Sequence, residues 1–292
     1  MSGAGSNAGA PAQARGLRTV GPAGLAAARA IRAACSACGA CAACALAAAA
    51  LTSCAGNGYA PNPGARASTS PAVRQLAQNA PKVGSEQTLN RALEMAEKGD
   101  PEAMFLAGSM LERGQGAPAD LGAAHDWYVK AAKAGNRNAY YNLAMWSYKG
   151  ICIPQDFEQA YASFEKLANM GDAGAMTMQA KMILGGQGVQ TDLGKALGLL
   201  ERARSLGDRD AYATMGYLLL IGKSVPKDEK QALRNLRKAA QEGDSDAALT
   251  VGQMLLTGQG EAPNDKEARV WVDRAAAAGN PKAAEFKAQM GW

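Results

Sequence analysis

The stretch GDSDAALTVGQMLLTGQGEAPNDKEARVWVDRAAAA, residues 243–278, decides the fold. Its landmarks return every 36 residues along the chain. The opening Gly243-Asp244 recurs as Gly99-Asp100, Gly135-Asn136, Gly171-Asp172, Gly207-Asp208 and Gly279-Asn280. Ala247 recurs as Ala103, Ala139, Ala175, Ala211 and Ala283. Gly258 has counterparts at Gly114, Gly150, Gly186 and Gly222, and Asn264 at Asp120, Asp156, Asp192 and Asp228. Several columns held in one register are the signature of stacked repeats.

Each column has a physical role. Glycine at the end of an apolar-periodic segment suits the left-handed residue that closes a helix. The Asp or Asn directly after it is a preferred N-cap, worth about 1 kcal/mol per helix. Pro101 and Pro281 then fall at the first helical position, where a missing N–H is harmless. The second acidic column caps the other helix of the unit, and Asp156 with Gln159, Asp228 with Gln231 and Asn264 with Glu267 read as capping boxes. The small residues Ala103 and Gly108 and their equivalents let two helices approach closely. Larger residues of helix A (Leu111, Leu143, Met215, Val251) and helix B (Tyr128, Phe164, Leu200, Leu236) fill the remaining space. A lone hairpin cannot bury its apolar faces, so the units stack. The prediction is an all-α chain: an α/α solenoid, a right-handed superhelix of about five 36-residue helical hairpins over 85–292. Twelve helices are expected, from a B-type helix at 85–98 to a closing A-type helix at 281–290, with Lys282, Glu285 and Lys287 on a solvated outer face.

The pattern is best kept in Ala247, Val251, Gly252, Leu255, Gly258, Gly260, Asn264, Ala268, Trp271, Ala275, Ala276 and Gly279. It resembles the Sel-one-like repeat, a branch of the tetratricopeptide-like α/α superfamily. The 36-residue period and the Gly-x-Gly turn within the unit set it apart from ordinary tetratricopeptide units. The resemblance covers 85–292 and implies an adaptor, assembly or host-factor-binding role. Some cysteine-rich relatives are linked to β-lactam binding or hydrolysis, but this chain lacks the paired cysteines that staple each of their units.

Charge is unevenly placed over the 292 residues: +4 in residues 1–53, +3 in 54–84 and −2 in 85–292. A near-neutral body argues against nucleic acid as a partner. Arg29 and Arg32 precede an uncharged run, Ala33 to Ser53, which reads as an export signal. The run ends in Leu51-Thr52-Ser53-Cys54, which resembles the bacterial lipobox. A diacylglycerol thioether on the Cys54 sulfur, with further acyl chains, exceeds what stable membrane anchoring needs. Residues 1–53 are therefore expected to be a lipoprotein signal peptide and 54–84 an acylated cysteine with a flexible tether rich in Gly, Pro, Asn, Ala and Ser. Ala55, where Asp often signals inner-membrane retention, favours an outer-membrane lipoprotein facing the periplasm. Cys35, Cys38, Cys41 and Cys44 lack the last spacing and the proline of an iron–sulfur run, and alanine separates them as an apolar leader permits.

Material for catalysis is thin: one histidine, no strand pattern, no phosphate loop. Ser163-Phe164-Glu165-Lys166 matches S-x-x-K, but no S-D-N or K-T-G accompanies it, and Phe164 belongs to the core column. His125 sits at a position that other units fill with Tyr161, Leu197, Leu233 and Arg269. Cys152 stands where other units have Gly116, Gly188, Ser224 and Gly260, a small residue filling a turn. No catalytic residue, metal or cofactor is expected. The surface with the best claim is the concave wall lined by helix A, at positions i, i+3, i+7 and i+10. Phe105, Tyr141, Met145, Tyr148, Lys181 and Tyr217 would form a ladder there for a protein or peptide partner. The competing reading buries these side chains between units. The expected function is a membrane-anchored periplasmic interaction scaffold. The alternatives are a cell-envelope hydrolase or β-lactam-binding enzyme, and a structural protein bound to peptidoglycan.

Overall fold

The computed structural model describes residues 70–83 and 85–292. The leader, Cys54 and the tether as far as residue 69 lie outside the described residues. The described part consists of thirteen helices, with no strand among them. They are α1 (Pro71–Val83), α2 (Ser85–Glu97), α3 (Pro101–Arg113), α4 (Leu121–Lys133), α5 (Arg137–Lys149), α6 (Phe157–Asn169), α7 (Ala173–Gly185), α8 (Leu193–Ser205), α9 (Arg209–Ile221), α10 (Glu229–Gln241), α11 (Ser245–Thr257), α12 (Asp265–Ala277) and α13 (Pro281–Met290). From α3 onward the odd-numbered helices are A-type and the even-numbered ones B-type; α2 is the B-type helix that precedes them.

The caps act as the columns require. In α3 the Asp100 carboxylate accepts the N–H groups of Glu102 at 2.9 Å and Ala103 at 3.2 Å. In α7 Asp172 accepts that of Ala175 at 2.9 Å. Each A-type helix ends on a left-handed glycine, as at Gly186 with φ 63°. In the capping boxes the forward arm is present, with Asp156, Asp228 and Asn264 accepting the N–H groups of Gln159, Gln231 and Glu267 at 2.9, 2.8 and 3.1 Å, and the return arm is a correction. The N–H that a box would satisfy is already bonded to a carbonyl of helix A: Asp156 to Ser147 at 2.9 Å, Asp228 to Leu219 at 3.1 Å and Asn264 to Leu255 at 2.9 Å. That bond closes the turn within the unit and frees the N3 side chain. Glu267 instead accepts from Trp271 Nε1 at 3.1 Å.

The helices of a unit pack through the small column. A Cβ added at Gly252 would lie 2.5 Å from Val272 Cγ2, and one at Gly216 would lie 2.7 Å from Leu236 Cγ. Tyr128, Phe164, Leu200 and Leu236 are fully buried opposite that column, each worth about 1.5–3 kcal/mol. Apolar packing passes from unit to unit through Trp146, Phe164, Ile183, Leu200, Leu236 and Leu255. Polar ties cross the unit boundaries as well. Asn136 Nδ2 donates to Pro101 O at 3.3 Å, the Thr177 hydroxyl to Asp208 Oδ1 at 2.7 Å, and Asn280 Nδ2 to Asp246 Oδ1 at 2.8 Å.

Both ends depart from expectation. Residues 71–83, expected in the flexible tether, form α1. Val73 is buried on it, and the Ser70 hydroxyl donates to Asp100 Oδ2 at 3.1 Å. At the other end Lys287, expected on the outer face, is half-buried and pairs with Asp273 at 2.6 Å. It occupies the column filled by Ala107, Leu143, Gln179, Met215 and Val251 in the complete units. Trp292 folds back on Phe286 with ring centroids 6.2 Å apart. No helix among the described residues is long and apolar enough to cross a membrane.

Candidate interaction groove

The A-type helices α7, α9, α11 and α13 enclose a cleft of about 760 Å³. Its floor is apolar, made by Ala213, Tyr217, Leu218, Leu249 and Phe286, and Ile221 stands 68% exposed at its edge. Its polar lining includes Lys181, Asp210, Asp244, Asp246, Lys282 and Glu285. The position follows from the repeat. In α9 the residues Asp210, Ala213, Thr214, Tyr217, Leu218 and Ile221 follow the i, i+3, i+4, i+7, i+8, i+11 pattern, so one helical face meets the cleft.

Side-chain size varies along the inward columns. One inward column reads Phe105, Tyr141, Thr177, Ala213, Leu249, Glu285. In the second unit this column is filled by a tyrosine; in the fourth, by a methyl group. Tyr141 is buried, and its ring meets Phe164 edge-on at 5.4 Å. Met145 is buried in the same cluster. Tyr148 is half-buried, packed against Phe157 at 5.4 Å, and its hydroxyl donates to Gln187 Oε1 of the next unit at 2.9 Å. Phe105 is half-buried against Tyr128 at 5.7 Å. Of the six expected ladder residues, Lys181 and Tyr217 line the cleft; Phe105, Tyr141, Met145 and Tyr148 do not. Tyr141 and Met145 are corrected from partner-facing rungs to core, because both are buried in the cluster around Phe164. Lys282 and Glu285, expected on the outer face, line the cleft instead. The same inward spacing, extended into α13, would have placed them there.

The electrostatics of the cleft centre on Tyr217. Burial raises its hydroxyl above the ordinary tyrosine range, and the carboxylates of Asp244 and Asp246 push it further the same way. The hydroxyl lies 3.5 Å from Thr250 Oγ1. Asp210 is paired with Arg209 at 3.2 Å. Behind the cleft, Asp208 is buried with Oδ1 bonded to Thr177 and to the Ala211 N–H, while Oδ2 has no partner. Burial is the main cause that raises the Asp208 carboxyl above the usual range, and the Lys181 charge acts in the opposite direction.

The other sequence candidates form no constellation. Lys166 lies over the Tyr140 ring at 5.2 Å. His125 stacks on Trp146 at 6.0 Å. Cys152 is half-buried with φ 61°. Among the described residues no three His, Cys, Asp or Glu side chains converge as a metal site would need.

A family model for the Sel1 repeat matches residues 101–136, 137–172, 173–208, 209–244 and 245–280. No curated protein matches the chain. Among solved structures, a Sel1 repeat protein from Oxalobacter formigenes is 26% identical, with a TM-score of 0.60 over 77% of this chain and 86% of that one. The protective antigen c5321 of uropathogenic Escherichia coli, which displays an SLR fold, is 28% identical, with a TM-score of 0.57 over 69% of this chain and 43% of the antigen. Immunity protein Pa5087 from Pseudomonas aeruginosa shares the fold at 16% identity, with a TM-score of 0.56 over 76% of this chain and 88% of that protein. With five matched units filling residues 101–280, this chain belongs to the Sel1 repeat family.

Proposed function

We propose that this protein is a membrane-tethered scaffold of the cell envelope, held by lipid on Cys54, that binds a protein or peptide in the cleft between α7, α9, α11 and α13. Sel1 repeat proteins are protein-interaction scaffolds, and the fold is typically non-enzymatic. The observation that carries the reading is the cleft itself: an apolar floor with polar walls. Such a surface gives a partner apolar area to bury and charges to set its register. The lipobox-like Leu51-Thr52-Ser53-Cys54 supports the address, an outer-membrane lipoprotein facing the periplasm.

The test is crosslinking in cells followed by mass spectrometry. A photoreactive residue replaces Tyr217 in one strain and the exposed Lys238 of α10 in another. Discrete polypeptide adducts at position 217 and none at 238 are expected. A position 217 that captures nothing beyond the 238 background overturns the groove. Separately, Cys54→Ser is expected to release the protein from membranes or leave it unprocessed. Unchanged fractionation, with no lipid mass on the peptide carrying residue 54, overturns the anchor.

A further inference from the structure

The geometry points to a partner segment that is basic as well as apolar: a lysine or arginine seated beside Tyr217 between Asp244 and Asp246, next to an apolar side chain on Leu218 and Phe286. This rests on the groove reading above and names its occupant.

The reasoning starts from charge. The cleft is lined by four carboxylates, Asp210, Asp244, Asp246 and Glu285, against two ammoniums, Lys181 and Lys282. The cations stand on the flanking helices α7 and α13, and Lys282 shares its helix with Glu285. Lys181 also acts on the buried Asp208 behind the wall. The middle of the cleft is left acidic, and Asp244 and Asp246 both act on the Tyr217 hydroxyl there. A cation arriving at that point meets two carboxylates and the ring of a half-buried tyrosine, so Coulomb attraction and cation–π attraction coincide. An acid at the same point would be repelled by both carboxylates. The apolar floor lies within the same cleft, so a lone cation leaves most of the lining unused. A segment that alternates basic and apolar side chains, helical or extended, fits both.

The test uses fluorescence anisotropy with the full chain and two synthetic probes. One is an amphipathic helix of ~15 residues with leucine on one face and lysine flanking it; the other replaces every lysine by glutamate. The lysine probe is expected to bind, and to bind more weakly as salt rises. Asp244→Asn with Asp246→Asn should weaken it about tenfold or more, a loss of at least one charge contact. Both amides keep the oxygens that accept the Ala247 N–H and Asn280 Nδ2, so the fold is retained. Glu242→Gln, outside the cleft, should leave binding unchanged. Equal or tighter binding of the glutamate probe, or an unchanged affinity in the double variant, overturns the charge preference. The groove reading survives that result if Phe286→Ser, at a half-buried cleft residue, abolishes binding while melting is little changed. If neither probe binds, the occupant named here is wrong, and the crosslinks at position 217 decide whether the groove stands.

Discussion

Cys152 holds a left-handed backbone with φ 61° at the position where Gly116, Gly188 and Gly260 have φ of 89°, 68° and 86°. In those units the missing Cβ matters: one added at Gly188 would lie 2.4 Å from the Phe157 backbone of the preceding unit. A side chain at Cys152 carries the cost of that conformation, about 1–2 kcal/mol for a residue other than glycine. Cys152→Gly is therefore expected to stabilise the chain by about 1 kcal/mol in denaturant unfolding. Gly188→Cys should destabilise it by about 1–3 kcal/mol, because the neighbouring helix must also move. The reverse order would mean that contacts of the Cys152 side chain outweigh its backbone strain. Asp208 offers a test with a pH signature. Its Oδ2 is buried without a partner, and burial raises its carboxyl. The folded chain then holds this proton more tightly than the unfolded chain does. Stability from this group is full below the ordinary aspartate range and falls as pH rises through the raised value. Asp208→Asn keeps an oxygen for the Ala211 N–H, and asparagine at the same column already bonds across units at Asn136 and Asn280. The variant should gain about 1 kcal/mol at pH 7, shrinking towards zero near pH 3–4. A gain independent of pH would remove the buried charge as its cause.

From α3 onward each helix is specified by its own ends, which is why those helix positions were legible in the sequence. The Gly-Asp/Asn columns fix where α3 to α13 begin and end because the side-chain cap and the left-handed glycine are local chemistry, indifferent to what lies across the interface. Asp172→Ala removes one such cap and should cost about 1 kcal/mol. Ala175→Trp, three residues on at a fully buried position of the close helix contact, should cost about 1–3 kcal/mol. Denaturant melts that find the cap change the costlier of the two would contradict the packing role of the alanine column. Helix α1 was hidden for the complementary reason. Val73, Leu76 and Ala77 carry the i, i+3, i+4 spacing of a helix and Pro71 suits its first position, but the Gly-, Pro- and Asn-rich composition around them reads as linker. What holds α1 is tertiary, the burial of Val73 and the Ser70 bond to Asp100, and neither partner is announced by local sequence. The return arms of the capping boxes failed similarly: a carbonyl from the preceding helix had already taken the donor.

Across the whole molecule the period tells which residues face inward, but not which of them remain open. That depends on volumes summed over neighbouring units. At α5 the inward side chains Tyr141 and Met145 are buried in the core around Phe164; at α9 the matching residues are Ala213 and Tyr217, and both line the cleft. Tyrosines of similar appearance in the sequence thus have opposite roles. Tyr141 is packed on Phe164 within the core that links the second and third units, and Tyr148 ties itself to Gln187. Tyr217 lines the cleft, half-buried against the core of the later units, with its hydroxyl 3.5 Å from Thr250 Oγ1. In a stack where each unit leans only on its neighbours, a cavity opened at one junction weakens that junction directly. Tyr141→Ala with Tyr148→Ala should therefore cost about 3–5 kcal/mol in stability, and any loss of partner should follow the melting. Tyr217→Ala with Phe286→Ala should leave the units standing, with a smaller drop in melting, and weaken partner capture by about 2–4 kcal/mol if these are the anchoring contacts. Melting and crosslink yield measured on the same preparations separate the two outcomes. A Tyr141/Tyr148 double variant that melts as the parent does yet loses its partner would restore those residues to the binding surface. A Tyr217/Phe286 variant that stays folded and keeps every adduct would move the binding surface away from the cleft.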